Sequence, residues 1–404
     1  NIRGIPSIDI TSGQIVVEHG IFDSRAFGKP SGLKLNSKQD IHLSGQSRVN
    51  RFSLLEFKSK SVKIDSGFKF NSSSDSNIPI EILNIKSQGD VDLNGVTLEA
   101  SLVVDSDSSV ALTDSTVNGS IVRLDAKDDL LIDQGELGIT PYFTAQRVSL
   151  LGGNISVGSV GVESKVDVRI NASRKIEIDG PTRIGAWLRG VQSIAIEAPE
   201  IYLNEGTEID ASVAEVAWGQ SGSIYIVGSR KLNLKGAIFK FNGSQLFSET
   251  PSIELRGGDI ALDNSKLLHF SFYNDDSHGE KYAKQHRNLS GSKMTKINAT
   301  KSVKFSNASY IYTNNGDVQI KASDIDLTDT KIVSLNTWPV SQRAPSLVEL
   351  DARRSIALSN TTILGQSLSN FKRMKINLRG YRMNSRNTFV GLLMKEKAHP
   401  VQLI

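Results

Sequence analysis

The segment SGSIYIVGSRKLNLKGAIFKFNGS, residues 221–244, alternates apolar and polar side chains. Its apolar positions fall into short runs, and a small residue, Gly228, with a polar step separates the first run from the second. Alternation with a period of two places every second side chain on one face of a β-strand. The segment therefore predicts two short strands, each with one buried face, that are joined by a corner.

The same form recurs along the chain. Segments that begin near residues 119, 164, 191, 251, 316 and 346 share the order apolar-x-apolar-x-(Ala/Gly)-x-x-apolar-x-apolar. The small position is held by Ala126, Ala172, Ala198, Gly228, Gly257, Ala299, Ala322 and Ala352. A recurrence of about 20 to 30 residues is typical of a solenoid. Two intervals, 126–172 and 257–299, are longer, and each hides either a degenerate repeat or an insertion.

Strands this short bury their apolar face only by stacking on neighbouring strands. We therefore predict an all-β fold, a right-handed parallel β-helix of roughly 14–16 coils, with one repeat in each coil. The small residue is expected at a corner, where a large side chain would collide with the next coil. Asn and Gly after the second strand are expected in turns with positive φ. A series of β-sandwiches also has alternating strands, but it need not repeat the same small residue.

The repeat pattern also suggests an organisation of the chain. The β-helix is predicted over residues 1–370 and is most regular over 119–365. Loop insertions are expected near residues 205–222, 267–296 and 334–346, where the pattern is interrupted. Residues 371–404 are rich in Lys and Arg and are expected to form a last coil, a cap or a solvated tail.

Composition limits the classes of function. The chain has 47 Lys and Arg, 43 Asp and Glu, and a net charge of +4, with both signs interspersed. This pattern is typical of a solvated surface and not of a nucleic-acid-binding protein. The chain contains no cysteine, and no apolar run approaches the length of a membrane span. We expect no disulfide, membrane span, cofactor or metal, since no cofactor motif follows a strand in the required context.

The segment SGSIYIVGSRKLNLKGAIF, together with SIAIEAPEIYLNEGTEIDAS before it, resembles the repeats of filamentous-haemagglutinin-type exoproteins. Those repeats run approximately G-x-I-x-I-x-A-x-x-I-x-L-x-x-G-x-x-I, and the resemblance covers roughly residues 119–365. It implies a long right-handed β-helix that a two-partner system secretes to the extracellular space or cell surface. It also implies a function as an adhesin, a biofilm-matrix protein or a contact-dependent toxin. The chain has no Asn-Pro-Asn motif of that family's secretion domain, so the resemblance is to a passenger segment.

Residues 267–296 combine imidazole, carboxylate and phenol groups where the repeat is interrupted. Insertions in a solenoid emerge as loops, and loops often carry function. The histidine spacing matches no standard metal site. Binding of a sugar or protein partner and a plain solvated loop remain as alternatives. The candidate binding residues here are Tyr273, His278, Tyr282 and His286.

Residues 334–346, SLNTWPVSQRAPS, contain a second candidate pair, Trp338 and Arg343. Trp and Arg are favoured in recognition surfaces, and a tryptophan that covers the opening of a coil explains the same pattern. A third tryptophan, Trp218, is expected to pack in a corner of the 205–222 segment.

The predicted function is structural and adhesive, with a glycan or a cell-surface receptor bound through loops and repeated faces. The first alternative is a polysaccharide-degrading β-helix enzyme, a lyase or a glycosidase, because hydrolysis of glycosidic bonds needs paired carboxylates. Its candidate catalytic residues are Asp275, Asp276, His278 and Lys281. The second alternative is a subunit of an extracellular filament or sheath, because end coils with open β edges favour end-to-end self-association.

Overall fold

The computed structural model describes residues 7–24, 31–71, 80–138, 147–164, 166–186, 193–212, 223–243, 252–271, 294–314, 316–336, 346–367, 374–394 and 397–400. Every regular element in these ranges is a β-strand, and the ranges contain no helix, which confirms the all-β prediction. The chain divides into two compact units, Asn1–Arg183 and Ile184–Ile404, which are described separately below.

The first unit is built from short strands that lengthen toward its later coils. They are β1 (Ser7–Ser12), β2 (Ile15–Val17), β3 (Ile21–Asp23), β4 (Gly32–Ser37), β5 (Asp40–Leu43), β6 (Arg48–Asn50), β7 (Leu54–Ser59), β8 (Ser61–Ile64), β9 (Lys69–Asn71), β10 (Ile82–Ser87), β11 (Val91–Asn94), β12 (Thr97–Leu98), β13 (Ser101–Ser106), β14 (Val110–Asn118), β15 (Ile121–Ala126), β16 (Asp129–Gly138), β17 (Arg147–Ser164) and β18 (Asp167–Asp179). A further strand, β19 (Arg183–Ala186), begins at the last residue of this unit.

The second unit alternates long and short strands. They are β20 (Ser193–Leu203), β21 (Glu208–Asp210), β22 (Ser223–Lys235), β23 (Ile238–Gly243), β24 (Ile253–Asp263), β25 (Lys266–Ser271), β26 (Met294–Ser306), β27 (Tyr310–Asn314), β28 (Asp317–Thr328), β29 (Lys331–Asn336), β30 (Ser346–Ser359), β31 (Thr362–Ser367), β32 (Met374–Arg379), β33 (Arg382–Arg386), β34 (Phe389–Met394) and β35 (Lys397–Pro400).

Successive coils stack in parallel within each unit. In the first unit, parallel pairing joins the opening strands of eight coils, β1, β4, β7, β10, β13, β15, β17 and β18. In the second unit it joins those of seven, β20, β22, β24, β26, β28, β30 and β32. The fold is a right-handed parallel β-helix. The eight and seven coils counted within the described ranges agree with the predicted 14–16.

The inward positions of each strand stack into apolar ladders. Ile226 lies in register with Ile196 on one neighbouring coil and with Leu255 on the other. All three side chains are fully buried. Since each buried aliphatic side chain contributes about 1.5–3 kcal/mol relative to exposure, these ladders stabilise strands that are too short to stand alone.

The small residue lies at a corner, but the backbone does not break there. Residues on both sides of Gly228 belong to one strand, β22, whose register with β24 shifts between Gly228 and Lys231. A Cβ atom at Gly228 would lie 2.4 Å from the carbonyl oxygen of Lys231. The prediction of two separate strands is therefore wrong in this detail, because a bulge bends the chain while strand pairing continues through it.

The two long intervals between small residues have different causes. In the first, Gly152 pairs in register with Ala172, so β17 is a repeat that the pattern did not reveal. In the second, β24 pairs directly with β26 and Gly257 lies beside Ala299. The second interval is therefore an insertion between neighbouring coils.

A second corner follows the last inward residue of many coils and uses residues with positive φ. Gln134 and Gly206 in the predicted turn sequences DQG and NEG have φ of 55° and 89°. Asn264 and Asn360 occupy equivalent turns. A hydroxyl residue often follows, and its Oγ donates to a carbonyl oxygen of the neighbouring coil, as from Ser309 to Leu262 at 3.0 Å. This hydroxyl ladder satisfies backbone groups that the corner would otherwise leave unpaired.

The last strands lie in the basic segment that was predicted as a coil, cap or tail. Strand β32 pairs in parallel with β30, and β34 pairs in parallel with β31 and antiparallel with β35. Among the residues described, no helix is long and apolar enough to cross a membrane.

Candidate functional site: two corner grooves

The candidate site residues predicted from the sequence lie outside the described ranges. They fall in residues 272–293 and 337–345. The binding and catalytic assignments for these positions therefore stay predictions: Tyr273, Asp275, Asp276, His278, Lys281, Tyr282, His286, Trp338 and Arg343.

One histidine inside the predicted interruption 267–296 belongs to the core. His269 lies in β25, is 0% exposed and packs edge-to-face against Phe241 with ring centroids 5.2 Å apart. Its strand stacks between β23 and β27. Residues 267–271, placed at the start of the interruption from sequence, are thus part of a regular coil.

The small-residue corner forms a groove in the first unit. Strand positions that point outward form one wall, and the turn after the corner forms the other. The groove has a volume of about 480 Å³ and crosses four successive coils, those that begin with β4, β7, β10 and β13. It is lined by Ser37, Lys38, Lys58, Ser59, Lys60, Lys86, Ser87, Gln88, Asp105 and Asp107. We call it the lysine groove.

Serine side chains form the floor of the lysine groove. The hydroxyls donate to backbone carbonyl oxygens, from Ser37 to Gly13 at 2.8 Å and from Ser87 to Lys60 at 2.8 Å. Because the floor is made of small residues in register, it is set back from the lysine side chains on both walls. The concavity is thus a direct result of the corner sequence.

The lysines of this groove form a cluster of like charges. Lys58 and Lys86 lie directly in register on neighbouring coils, and both are exposed. Within the part of the chain that the structure describes, neither they nor Lys38 and Lys60 have a carboxylate within 4.0 Å. Like charges placed opposite each other on paired strands are destabilising. A bound anion would relieve that repulsion.

Two basic side chains on another face of the same coils share a carboxylate. His42 Nε2 lies 2.7 Å from Asp65 Oδ2, and Lys63 Nζ lies 3.3 Å from Asp65 Oδ1. Partial burial alone would raise the pKa of Asp65, but the hydrogen bonds from His42 and Lys63 outweigh burial and lower it below its usual value. The groove lysines have no such acidic partner within 4.0 Å among the described residues.

The second unit has a corresponding groove of about 550 Å³ at its small-residue corner. Its walls and floor are Val227, Ser229, Arg256, Gly257, Asn298, Ala299, Thr300, Lys321, Ala322, Asp351 and Arg353. It again follows the corner across successive coils, with Gly257, Ala299 and Ala322 as its small residues. We call it the arginine groove.

Buried glutamates neutralise most of the cations in the arginine groove. Arg256 Nε lies 2.7 Å from Glu254 Oε1, and Lys321 Nζ lies 3.8 Å from Glu349 Oε2. The hydrogen bond with Glu254 raises the pKa of Arg256, against the opposing effect of burial. Since these cations already have partners, an anion would gain less by binding in the arginine groove than in the lysine groove.

No group of three or more His, Cys, Asp or Glu side chains that could hold a metal ion occurs in the described ranges. The polar groups that the structure does bring together are the lysines and serines of the corner. Sequence reasoning missed them because the small position of the early coils is Ser and not Ala or Gly. Ser106 pairs in register with Ala126, so serine holds in this coil the corner position that alanine holds in the next, and only the structure reveals this equivalence.

The chain matches no family model, no curated protein and no solved structure.

Proposed function

We propose that the protein is an extracellular structural and adhesive β-solenoid that binds glycans or cell surfaces through its repeated outward faces. Parallel stacking in register carries the proposal. Exposed side chains of one kind, such as Lys58 and Lys86, recur at the same position of neighbouring coils. Such a surface offers a linear polymer many equivalent contacts, and weak contacts add up when they act together.

The resemblance of the repeats to filamentous-haemagglutinin-type exoproteins supports the same proposal. The pattern quoted for that family predicted a parallel β-helix with a small residue at its corner, and this chain folds in that way. We propose on this basis a passenger segment at the cell surface or in a biofilm matrix. Of the loops predicted near residues 267–296 and 334–346, the parts outside the described ranges, 272–293 and 337–345, would add contacts beside the repeated faces.

A retention assay with new-chain-end detection tests the adhesive function. Immobilised protein is incubated with a panel of acidic and neutral polysaccharides, each as a long polymer and as short fragments. We expect retention without cleavage, and polymers held about 10²–10⁴-fold more tightly than fragments because several coils act together. Dextran serves as the neutral reference.

Other results of this assay would support the alternatives. If new chain ends form with the parent and vanish in the Asp275→Ala and Asp276→Ala variants, the protein is a polysaccharide-degrading enzyme and the adhesive function is wrong. Equal affinity for fragments and polymers would contradict binding through repeated faces. An absence of both retention and cleavage would overturn the proposal and favour a filament subunit. Sedimentation of the free protein would then detect assemblies of several chains.

A further inference from the structure

The lysine groove contains a stack of like charges that form no ion pair with any described residue. Lys58 in β7 and Lys86 in β10 are register partners, so their backbones are separated by only about 4.8 Å, the spacing of neighbouring strands. Lys60 and Lys38 lie on the opposite wall. Four ammonium groups thus surround a narrow surface, and none of them has an ion-pair partner within the described ranges.

Two acidic residues lie at one end of the groove and bound the cationic stretch. Asp105 is the register partner of Lys86 on the next coil, and Asp107 follows the corner. In the part of the chain that is described, neither carboxylate comes within 4.0 Å of a groove lysine. Four lysines against two aspartates leave the groove with net positive charge, concentrated on the coils that begin with β4, β7 and β10.

We propose that the lysine groove binds a linear acidic polysaccharide that lies across the coils. Carboxylate groups of successive sugars would receive charge-assisted hydrogen bonds from Lys58, Lys86, Lys60 and Lys38. The inference rests on the proposed adhesive function and names the ligand class and the site. The small serine floor allows the polymer to lie close to the lysine stems, and Gln88, Asp105 and Asp107 can exchange hydrogen bonds with sugar hydroxyls.

The lining favours a polysaccharide over a nucleic acid. Surfaces that bind single-stranded nucleic acid combine positive charge with aromatic side chains on which bases stack. The side chains that line the lysine groove are Ser, Lys, Gln and Asp, with no aromatic residue among them. The groove therefore has the charge to hold a polyanion and lacks a stacking platform.

Titration of the whole chain with defined-length oligogalacturonate tests the site. The variant Lys58→Gln with Lys86→Gln should bind about tenfold or more weakly at low salt, because two charge-assisted contacts are lost. A variant with Lys58→Arg and Lys86→Arg keeps the charge and should retain most of the affinity. The matched control, Lys69→Gln with Lys304→Gln, removes the same charge from exposed lysines outside the groove that also lack an ion pair among the described residues, and it should bind like the parent.

Thermal unfolding separates loss of the site from loss of the fold. The glutamine pair removes both the repulsion between Lys58 and Lys86 and the attraction between the register partners Lys86 and Asp105. Because these two effects oppose each other, its unfolding temperature should stay close to that of the parent. Oligogalacturonate should raise the unfolding temperature of the parent and not that of the glutamine variant.

Each contrary result has a distinct meaning. If the parent binds oligogalacturonate and the glutamine variant binds equally well, the groove is not the site, while the adhesive function stands. If the parent binds only neutral polysaccharides, the proposed class of ligand is wrong. If single-stranded DNA binds at the groove as tightly as oligogalacturonate or more tightly, the ligand class is nucleic acid and not polysaccharide. If the parent retains no polysaccharide at all, the proposed function fails together with this inference.

Discussion

Replacement of Phe305 by alanine should lower the free energy of unfolding by about 3–5 kcal/mol, as truncation of a buried aromatic side chain typically does. Phe305 is 0% exposed and lies in register with Leu262 and Leu327 on the coils on either side. Its loss leaves a void that touches three coils at once. Because strand pairing fixes the distance between coils, the neighbours can close only part of that void.

Urea unfolding followed by circular dichroism measures the effect as a lower midpoint. The control is Lys304→Ala, which changes the adjacent outward residue of the same strand, exposed in the structure. Exposed substitutions of this kind usually shift stability by no more than about 0.5 kcal/mol. If the two variants unfold at the same urea concentration, Phe305 does not face the core and the inward ladder is assigned incorrectly.

Replacement of Gly228 by leucine should destabilise the protein by about 1–3 kcal/mol, the usual cost of overpacking a tight site. A Cβ atom at this position would lie 2.4 Å from the oxygen and 2.8 Å from the carbon of the Lys231 carbonyl. Both are backbone atoms, so the corner itself must open to admit the side chain. The rest of the leucine must also fit between the corner residues Ala198 and Gly257 of the neighbouring coils.

Gly161→Leu provides the control for the corner. At Gly161 the nearest atom to an added Cβ is the Glu136 side chain at 3.9 Å, so the substitution meets ordinary contact only. Urea midpoints for both variants are again the measurement. Equal midpoints, or a more stable Gly228→Leu protein, would show that the corner has room for a large side chain.

Period-two alternation was enough to predict the fold and its inward face. Ile224 and Ile226 were expected on the buried side of a strand, and both are 0% exposed. Alternation reports the face of a single strand, and it depends only on neighbouring residues. This is why the coil architecture could be predicted from short local patterns.

Irregular corners were harder to detect. Gly152 is followed by a second glycine, and the coil around it reads as one long strand, β17. The serines of the early coils were also overlooked, because serine is common in turns of every kind. Only the register, which pairs Ser106 with Ala126, shows that a hydroxyl residue replaces alanine at the same corner.

The lysine groove could not have been predicted from one sequence. Lys58 and Lys86 face each other only because the intervening turn brings β10 into register with β7. A shift of one residue would move every outward side chain to the opposite face. Contacts of this kind depend on the length of each coil, which varies along the chain, and not on local composition.

Cysteine pairs on the outward face provide the most direct test of stacking in register, because the natural chain contains no cysteine. Asn233 pairs with Ala261 on the next coil, and Ala261 pairs with Lys304 on the coil after that. Neighbouring strands lie about 4.8 Å apart, within the range that a disulfide can bridge, whereas Cα atoms more than about 7 Å apart cannot be joined.

Mild oxidation followed by peptide mass spectrometry is therefore the decisive measurement. The account predicts that the variant with Asn233→Cys and Ala261→Cys forms an intramolecular disulfide, while the variant with Asn233→Cys and Lys304→Cys does not. Efficient cross-linking of the second pair, or failure of the first, would contradict the stacking of coils on which the grooves and the proposed function depend.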